Sequence, residues 1–350
     1  MFERWQKLWQ PQLGIDLGTA NTLIYLQGHG IVINEPTVVA LNEKTGRLVA
    51  IGNDAKQMLG RTPTHLTVIR PLVDGVISNF EVAEEMLAYF IRRVGQLDAK
   101  KFLRPRVVVG VPSGITNVEI RAVRDATRNA GAGQVHIIEE PMAAAIGIRL
   151  PVHDPVGQMI VDIGGGTTDI AVISLGGIVR SKNLKIAGDR LNADIVAYVR
   201  DEFKIILGEK TAEEVKIAIG AVCRQKELKE ATIRGRDLIT GLPKEVVVTD
   251  ADIKEAIGQS ILTLVDTVKE VLESTPPEVI SDVMHQGIIL AGGGALLGGL
   301  PELLTQELKI PVHLADDPLT VVARGTGIVL ENLARYQDVL LDDENELPPK

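Results

Sequence analysis

Cysteine is almost missing from this chain. Cys223 is the single one in 350 residues, which excludes an internal disulfide and suits a reducing compartment. It falls in an apolar stretch that reads as helical, where a buried, inert thiol is expected. Aromatic residues make up only 3%, so valine, isoleucine, leucine and alanine must build the core. No apolar run approaches the ~18–20 residues of a membrane span, and no cleavable signal pattern opens the chain. A soluble or peripheral protein is expected. An excess of positive charge is missing too. The net charge of −9 argues against nucleic acid as a main partner. The histidines (His29, His65, His136, His153, His285 and His313) show no metal-ligand spacing. Neither G-x-x-x-x-G-K-[ST] nor a helix-opening G-x-G-x-x-G occurs, which excludes the P-loop and dinucleotide-fold readings.

What is present is a pair of similar glycine-rich strings about half a chain apart. GIDLGTANT occupies residues 14–22 and VDIGGGTTD residues 161–169. Each follows a short apolar run and precedes another, the pattern of strand, tight turn and strand. Glycines let a backbone approach phosphate and aim successive N–H groups at it. Asp16 and Asp162 lead the two turns, placed to hold Mg²⁺ through water, since that ion prefers oxygen ligands and keeps much of its hydration shell. The plainer alternative is an aspartate bonding its own turn. Gly18, Thr19, Ala20 and Asn21 would present donors to phosphates from one side, and Gly164, Gly165 and Gly166 from the other. A third string, GIILAGGGALLGGLPELL at residues 287–304, runs a buried strand through glycines toward an apolar helix. Gly292, Gly293, Gly294, Ala295 and Leu296 there suit an adenosine moiety over a helix N-terminus.

Length predicts two domains, and the halves repeat one plan. The strand at 107–112 plays in the first half the part that 288–292 plays in the second. An alanine-rich passage at 140–150, containing Gly147, is expected to connect the halves as a hinge, with 321–333 as the return crossing. We expect an N-terminal amphipathic segment at 1–12, a first domain at 13–149 with an insertion near 32–74, and a second at 150–333 with an insertion near 188–252. Residues 334–350 form a helix end and an acidic, disordered tail.

Six strings carry a family resemblance: GIDLGTANT, RPRVVVGVPSGIT (104–116), EEPMAAAIG (139–147), DIGGGTTD, TAEEVKIAIG (211–220) and AGGGALLGGL (291–300). Together they resemble the actin, hexokinase and heat-shock-chaperone ATPases, and within these the MreB-type bacterial actins, over nearly the whole chain. The resemblance implies an α/β actin-like fold, two similar domains around a cleft that binds ATP and Mg²⁺, and ATP hydrolysis coupled to filament assembly. It assigns the orienting of the attacking water to Glu140, with Thr167 as a second group. The alternative for Glu140 is service to the helix dipole. It also sets Glu213, Glu214, Val215 and Lys216 around ribose and adenine, where the alternative for Glu213 and Lys216 is a solvent-facing ion pair. The rival members are a heat-shock-type chaperone, which needs a peptide-binding domain, and a small-molecule kinase, which needs an acceptor pocket with a general base. Neither feature is legible.

Both tryptophans lie in the first nine residues. Phe2, Trp5, Leu8 and Trp9 fall on one helical face, with Arg4 and Lys7 opposite, as suits an anionic bilayer. The alternative is a staple onto the domain surface. Phe102 and Leu103, between basic residues, suit a lipid-dipping loop, which the resemblance supports, or else enter a buried strand. Thr116 and Glu119 form a capping box for a helix that buries Ile120, Val123, Thr127 and Ala130 and leaves Val118 outside. The resemblance puts the contact between antiparallel protofilaments at this helix. The partners it implies are further copies of the chain, the inner membrane with its anionic lipid, and membrane proteins of envelope synthesis. The place it implies is the inner face of the cell membrane.

Overall fold

In a computed structural model of the protein, residues 10–97, 104–223 and 227–341 are described. The first half opens with β1 (Gln12–Leu17), β2 (Asn21–Leu26) and β3 (Gly30–Pro36). A small sheet follows, β4 (Val39–Asn42), β5 (Arg47–Ile51) and β6 (Leu66–Ile69), with α1 (Asn53–Met58) against it. The short hairpin of β7 (Leu72–Val73) and β8 (Val76–Ile77) leads to α2 (Phe80–Gly95). Then come β9 (Arg106–Val111), α3 (Asn117–Asn129), β10 (Gln134–Glu139) and α4 (Glu140–Gly147).

The second half repeats the scheme with β11 (Gln158–Ile163), β12 (Thr168–Ser174) and β13 (Gly177–Leu184). Its insertion is α5 (Gly188–Phe203), β14 (Ile205–Ile206), α6 (Glu209–Ile219), β15 (Glu230–Asp237) and β16 (Pro243–Thr249). The chain returns through α7 (Asp250–Ser274), α8 (Pro277–Gln286), β17 (Ile288–Ala291), α9 (Leu300–Leu308), β18 (Val312–Leu314) and α10 (Val321–Glu331).

The two main sheets have the orders β10-β9-β1-β2-β3 and β18-β17-β11-β12-β13. In each, an antiparallel hairpin lies beside two parallel strands. The duplication expected from the sequence is therefore a duplication of topology. The hairpins form because alternating and continuous runs of Val, Ile and Leu bury the strands and because short turns join them.

Each sheet has its own apolar core, and a third core lies between the halves. That third core is built on α4 and α10. A side chain on Gly147 would overlap the Val321 carbonyl, and one on Gly325 the Ala143 carbonyl, so the two helices touch backbone to backbone. Small residues at 140–150 allow that approach.

Two expectations need adjustment. The separate sheet of the first half begins at Val39 rather than near 32, because β3 pairs with β2 and belongs to the main sheet. Glu140 opens α4, with Glu139 as its cap. Cys223 lies beyond the end of α6 in an irregular, half-buried segment and not in a helix, with its Sγ 3.4 Å from the Gly299 carbonyl. The helical period of 211–220 does not extend to it. Phe2, Trp5, Leu8, Trp9, Phe102, Leu103 and the tail from 342 lie outside the described residues.

Candidate functional site

The two turns face each other. Gly18, Thr19 and Ala20 link β1 to β2, and Thr37 supports them from behind. Its hydroxyl donates to the Gly18 carbonyl at 2.7 Å and its N–H to that of Ala20 at 2.9 Å. Across the cleft, Gly164 N–H donates to the Thr167 carbonyl at 2.9 Å, closing the β11–β12 turn. A side chain on Gly165 would overlap that of Ala20, and a Cβ on Gly166 would lie 2.6 Å from Thr19 Oγ1. Glycine is thus required at these positions by the approach of the opposite turn. The third string joins them. Gly292 adopts φ +79, and a side chain there would overlap Asp162 Oδ1. Residues 293–296 form a 3₁₀ turn, and α9 begins only at Leu300. The expected passage straight from glycines to helix is interrupted, so the adenosine seat expected over a helix N-terminus would be the 3₁₀ turn. Ala295 is buried and Leu296 exposed.

Beneath the turns lies a cluster of carboxyl groups. Asp16, next to last in β1, lies opposite Gly110 of β9, and a Cβ on Gly110 would lie 3.4 Å from Glu140 Cγ. Burial lifts Asp16 to about 7. Burial, then repulsion from Asp16 and Asp169, lifts Asp162 to about 8. Glu140 is pushed well above the usual carboxylate range by burial and then by Asp169, Asp16 and Asp162. Asp169 is raised by burial too, although the Ser113 hydroxyl and Asn183 oppose the shift. Its Oδ1 accepts from Ser113 N–H at 2.8 Å and from Ser113 Oγ at 2.5 Å, a bond that crosses from the first half to the second.

Acids that raise one another in this way lack a counter-charge. Among the described residues, no lysine or arginine forms an ion pair with Asp16, Glu140 or Asp162. The set fits a hydrated divalent cation, being oxygen-only, in want of a positive charge and adjacent to backbone donors. No group of three or more His, Cys, Asp or Glu among the described residues could itself enclose a metal ion.

The insertion of the second half contributes α6. Helical spacing splits the predicted run 213–216. Glu213 and Lys216 share a face, Val215 enters the core, and Glu214 stands exposed near Lys210. Lys216 Nζ donates to the Gly188 carbonyl at 2.7 Å, and burial lowers its pKa. Gly188 and Asp189 N–H groups donate to the carbonyls of Gly164 and Gly165, so Lys216 reaches the second turn through one intervening residue. Glu213 is engaged across the cleft by Lys56 at 2.9 Å. Arg70 joins Asp189 at 3.2 Å and Glu209 at 2.5 Å. Sequence reasoning missed Arg70, Lys56 and Ser113, because each acts on a residue more than fifty positions away and no local pattern marks it.

The profile of the family described as MreB/Mbl protein matches residues 10–338. The chain belongs to the MreB/Mbl family. Mbl, the cell shape-determining protein of Bacillus subtilis strain 168, is 47% identical over 321 residues, covering 92% of this chain and 96% of that protein. MreB, the cell shape-determining protein of Escherichia coli K12, is 47% identical over 350 residues, covering 98% and 100%. The structures of MreB5 of Spiroplasma citri bound to ADP and to AMPPNP are each 38% identical, with a TM-score of 0.89 over 94% of this chain and 98% of that one. The MamK double helical filament shares the fold, with a TM-score of 0.79 at 24% identity. This MreB/Mbl chain thus has the expected actin-like fold and belongs with the cell shape-determining proteins. Among its described residues, no helix is long and apolar enough to cross a membrane.

Proposed function

We propose that this protein is a membrane-associated, filament-forming ATPase that organises cell-wall synthesis to maintain rod shape. The observation that carries the nucleotide reading is the cradle itself, two facing glycine turns over buried acids that have no cationic partner among the described residues. The S. citri relative is described with ADP and with AMPPNP bound, which supports a nucleotide in the same cleft here.

Residues 18–21 and 164–166 would receive the phosphates from opposite sides. Residues 292–296, with Glu213 and Lys216, would bound the nucleoside. Asp16 and Asp162 would hold Mg²⁺ through water, and the ion would supply charge neutralisation along the phosphates. Glu140 sits at the N-terminus of a helix fixed by backbone contact, a rigid base for a carboxylate that would act in the cleft. With Thr167 it would orient the attacking water. Phosphoryl transfer depends chiefly on such positioning and on charge stabilisation.

Membrane attachment has support in the position of two chain ends. Gln10, the first described residue, donates from Nε2 to the Arg104 carbonyl at 2.7 Å. Arg104 is the first described residue after 98–103. The described residues that adjoin 1–9 and 98–103 therefore meet at one spot, which is what two lipid contacts on one face would need. Repeated along a polymer, weak anchors add up through multivalency. Self-assembly, the inner membrane face, pairing of antiparallel protofilaments at Val118 and partners in envelope synthesis complete the reading.

The test is electron microscopy of the purified protein with magnesium-ATP on anionic lipid, beside a nucleotide-free control. We expect paired filaments lying flat on the lipid with ATP alone. Monomers that hydrolyse ATP without assembling would overturn the cytoskeletal reading.

A further inference from the structure

The two halves are tied to each other in two unlike ways. At α4 and α10, backbone meets backbone at Gly147 and Gly325 inside an apolar core. The two insertions instead meet through charged side chains. Lys56, on α1, reaches Glu213 Oε2 at 2.9 Å. Arg70, which follows β6, forks between Asp189 Oδ2 at 3.2 Å and Glu209 Oε1 at 2.5 Å. Asp74, in the turn between β7 and β8, adds a looser pair with Lys185 at 3.5 Å. Glu209 and Glu213 are four residues apart on α6 and so share one helical face, which both cations of the first insertion engage.

The acids on the far side of these pairs belong to the walls of the cleft. Glu213 bounds the proposed nucleoside seat together with Lys216, on the same face of α6. Asp189 N–H donates to the Gly165 carbonyl at 2.7 Å, so Arg70 holds the residue that backs the second phosphate turn. The helix crossing adjoins the buried acids, since a Cβ on Gly110 would lie 3.2 Å from Val322 Cγ1 of α10. A nucleotide between the facing turns is thus bracketed by two ties. The crossing is buried apolar packing without slack. The side chains of Lys56, Arg70, Glu209 and Glu213 are 31–45% exposed, and ion pairs that open to water are weak and screened by salt. Of the two ties, the ion pairs are the one that parts.

We infer, on the nucleotide reading proposed above, that Lys56 and Arg70 form a clasp on the cleft that sets the rate of nucleotide exchange. The insertions separate at these pairs before nucleotide enters or leaves. Because the same pairs break in both directions, weakening them quickens both steps, and affinity changes less than either rate.

The test uses the full chain, kept dilute enough to be monomeric, with magnesium and etheno-ATP, a fluorescent analogue altered on the base. Release is followed after a chase with excess ATP, and binding by rapid mixing. Lys56→Ala combined with Arg70→Ala is expected to speed release about three- to tenfold, the span expected of two partly exposed ion pairs. Binding should quicken by a similar factor, which leaves the dissociation constant nearly unchanged. Added salt should shrink the difference between the two chains, since it screens the pairs only where they exist. Glu209→Gln opens the fork from the other side with Arg70 in place. It should speed release on its own and add little on top of Arg70→Ala, as partners in one interaction do. Unchanged release and binding in the double variant overturn the clasp and leave the nucleotide reading intact. Faster release without faster binding overturns it as well, because the charges would then hold bound nucleotide rather than govern its passage. An unaltered chain that binds no etheno-ATP overturns both readings.

Discussion

The two halves share a strand order but not a chemistry. In each, a hairpin turn led by an aspartate faces the cleft, and the outer parallel strand leads into one of the two crossing helices. β10 leads into α4 and β18 into α10. α4 opens with Glu140 and Pro141, whereas α10 opens at Val321 after Thr320. A carboxylate at a helix N-terminus therefore reaches the cleft from one half only. The turns differ as well. The first carries Thr19, whose Oγ1 accepts from Gly75 N–H at 2.8 Å, while the second offers only glycine backbone at 164–166. Duplication supplies two walls of a cradle, and a few unmatched side chains then distinguish one wall from the other.

Removing the unmatched acid should have the largest effect. Glu140→Ala is expected to slow phosphate release by about 10²–10⁴-fold, while nucleotide affinity stays within a few-fold, as read by phosphate-release kinetics and a fluorescent-nucleotide titration. Unchanged release would mean that the asymmetry between α4 and α10 has no catalytic meaning.

The crossing itself comes next. Gly325→Ala forces a methyl group into the Ala143 carbonyl and should cost about 3 kcal/mol in urea unfolding. Gly258→Ala in α7, where a Cβ meets nothing within 4 Å, should instead stabilise by about 0.5–1 kcal/mol. Equal outcomes for the two glycines would refute the backbone contact.

The acids give a smaller, pH-dependent signal. Asp162 has a folded pKa of about 8 against an ordinary value of 3.8. The folded state thus binds the proton more tightly than the unfolded state does. Its contribution is fully present below the unfolded value and is lost as pH rises through the folded one. Nucleotide-free protein should lose on the order of 2–4 kcal/mol of stability from this group between pH 4 and 8. Asp162→Asn should flatten that slope, and an undiminished slope would remove Asp162 from the cluster.

Smallest is the ion-pair set across the cleft. Arg70→Ala should cost less than about 1 kcal/mol, because its partners are partly exposed, and the difference should fade in high salt. A large, salt-independent loss would show that Arg70 holds the halves together by packing.

Much of this site was legible in the sequence because its signals are short-range. The two hairpins, the small-residue hinge, the capped helix with Val118 outside and the buried strands each follow from a few neighbouring residues. Thr116 and Glu119, for instance, cap α3 reciprocally. What was not legible depends on distance in the chain. β3 reads like the start of an insertion until its pairing with β2 is seen. Cys223 reads as helical until α6 ends at Ile219. The cross-cleft bond from Ser113 to Asp169 and the pairing of Lys56 with Glu213 arise only once two separate sheets have been brought face to face.

The contact between α4 and α10 has a mechanical consequence. Side chains between helices act as a compliant layer that lets them slide, and at Gly147 and Gly325 that layer is missing. Two rods pressed together without padding resist translation yet still tolerate a small turn about the point of contact. The crossing would serve as an axle, and the parts of each half that lie furthest from it would travel most for a given rotation.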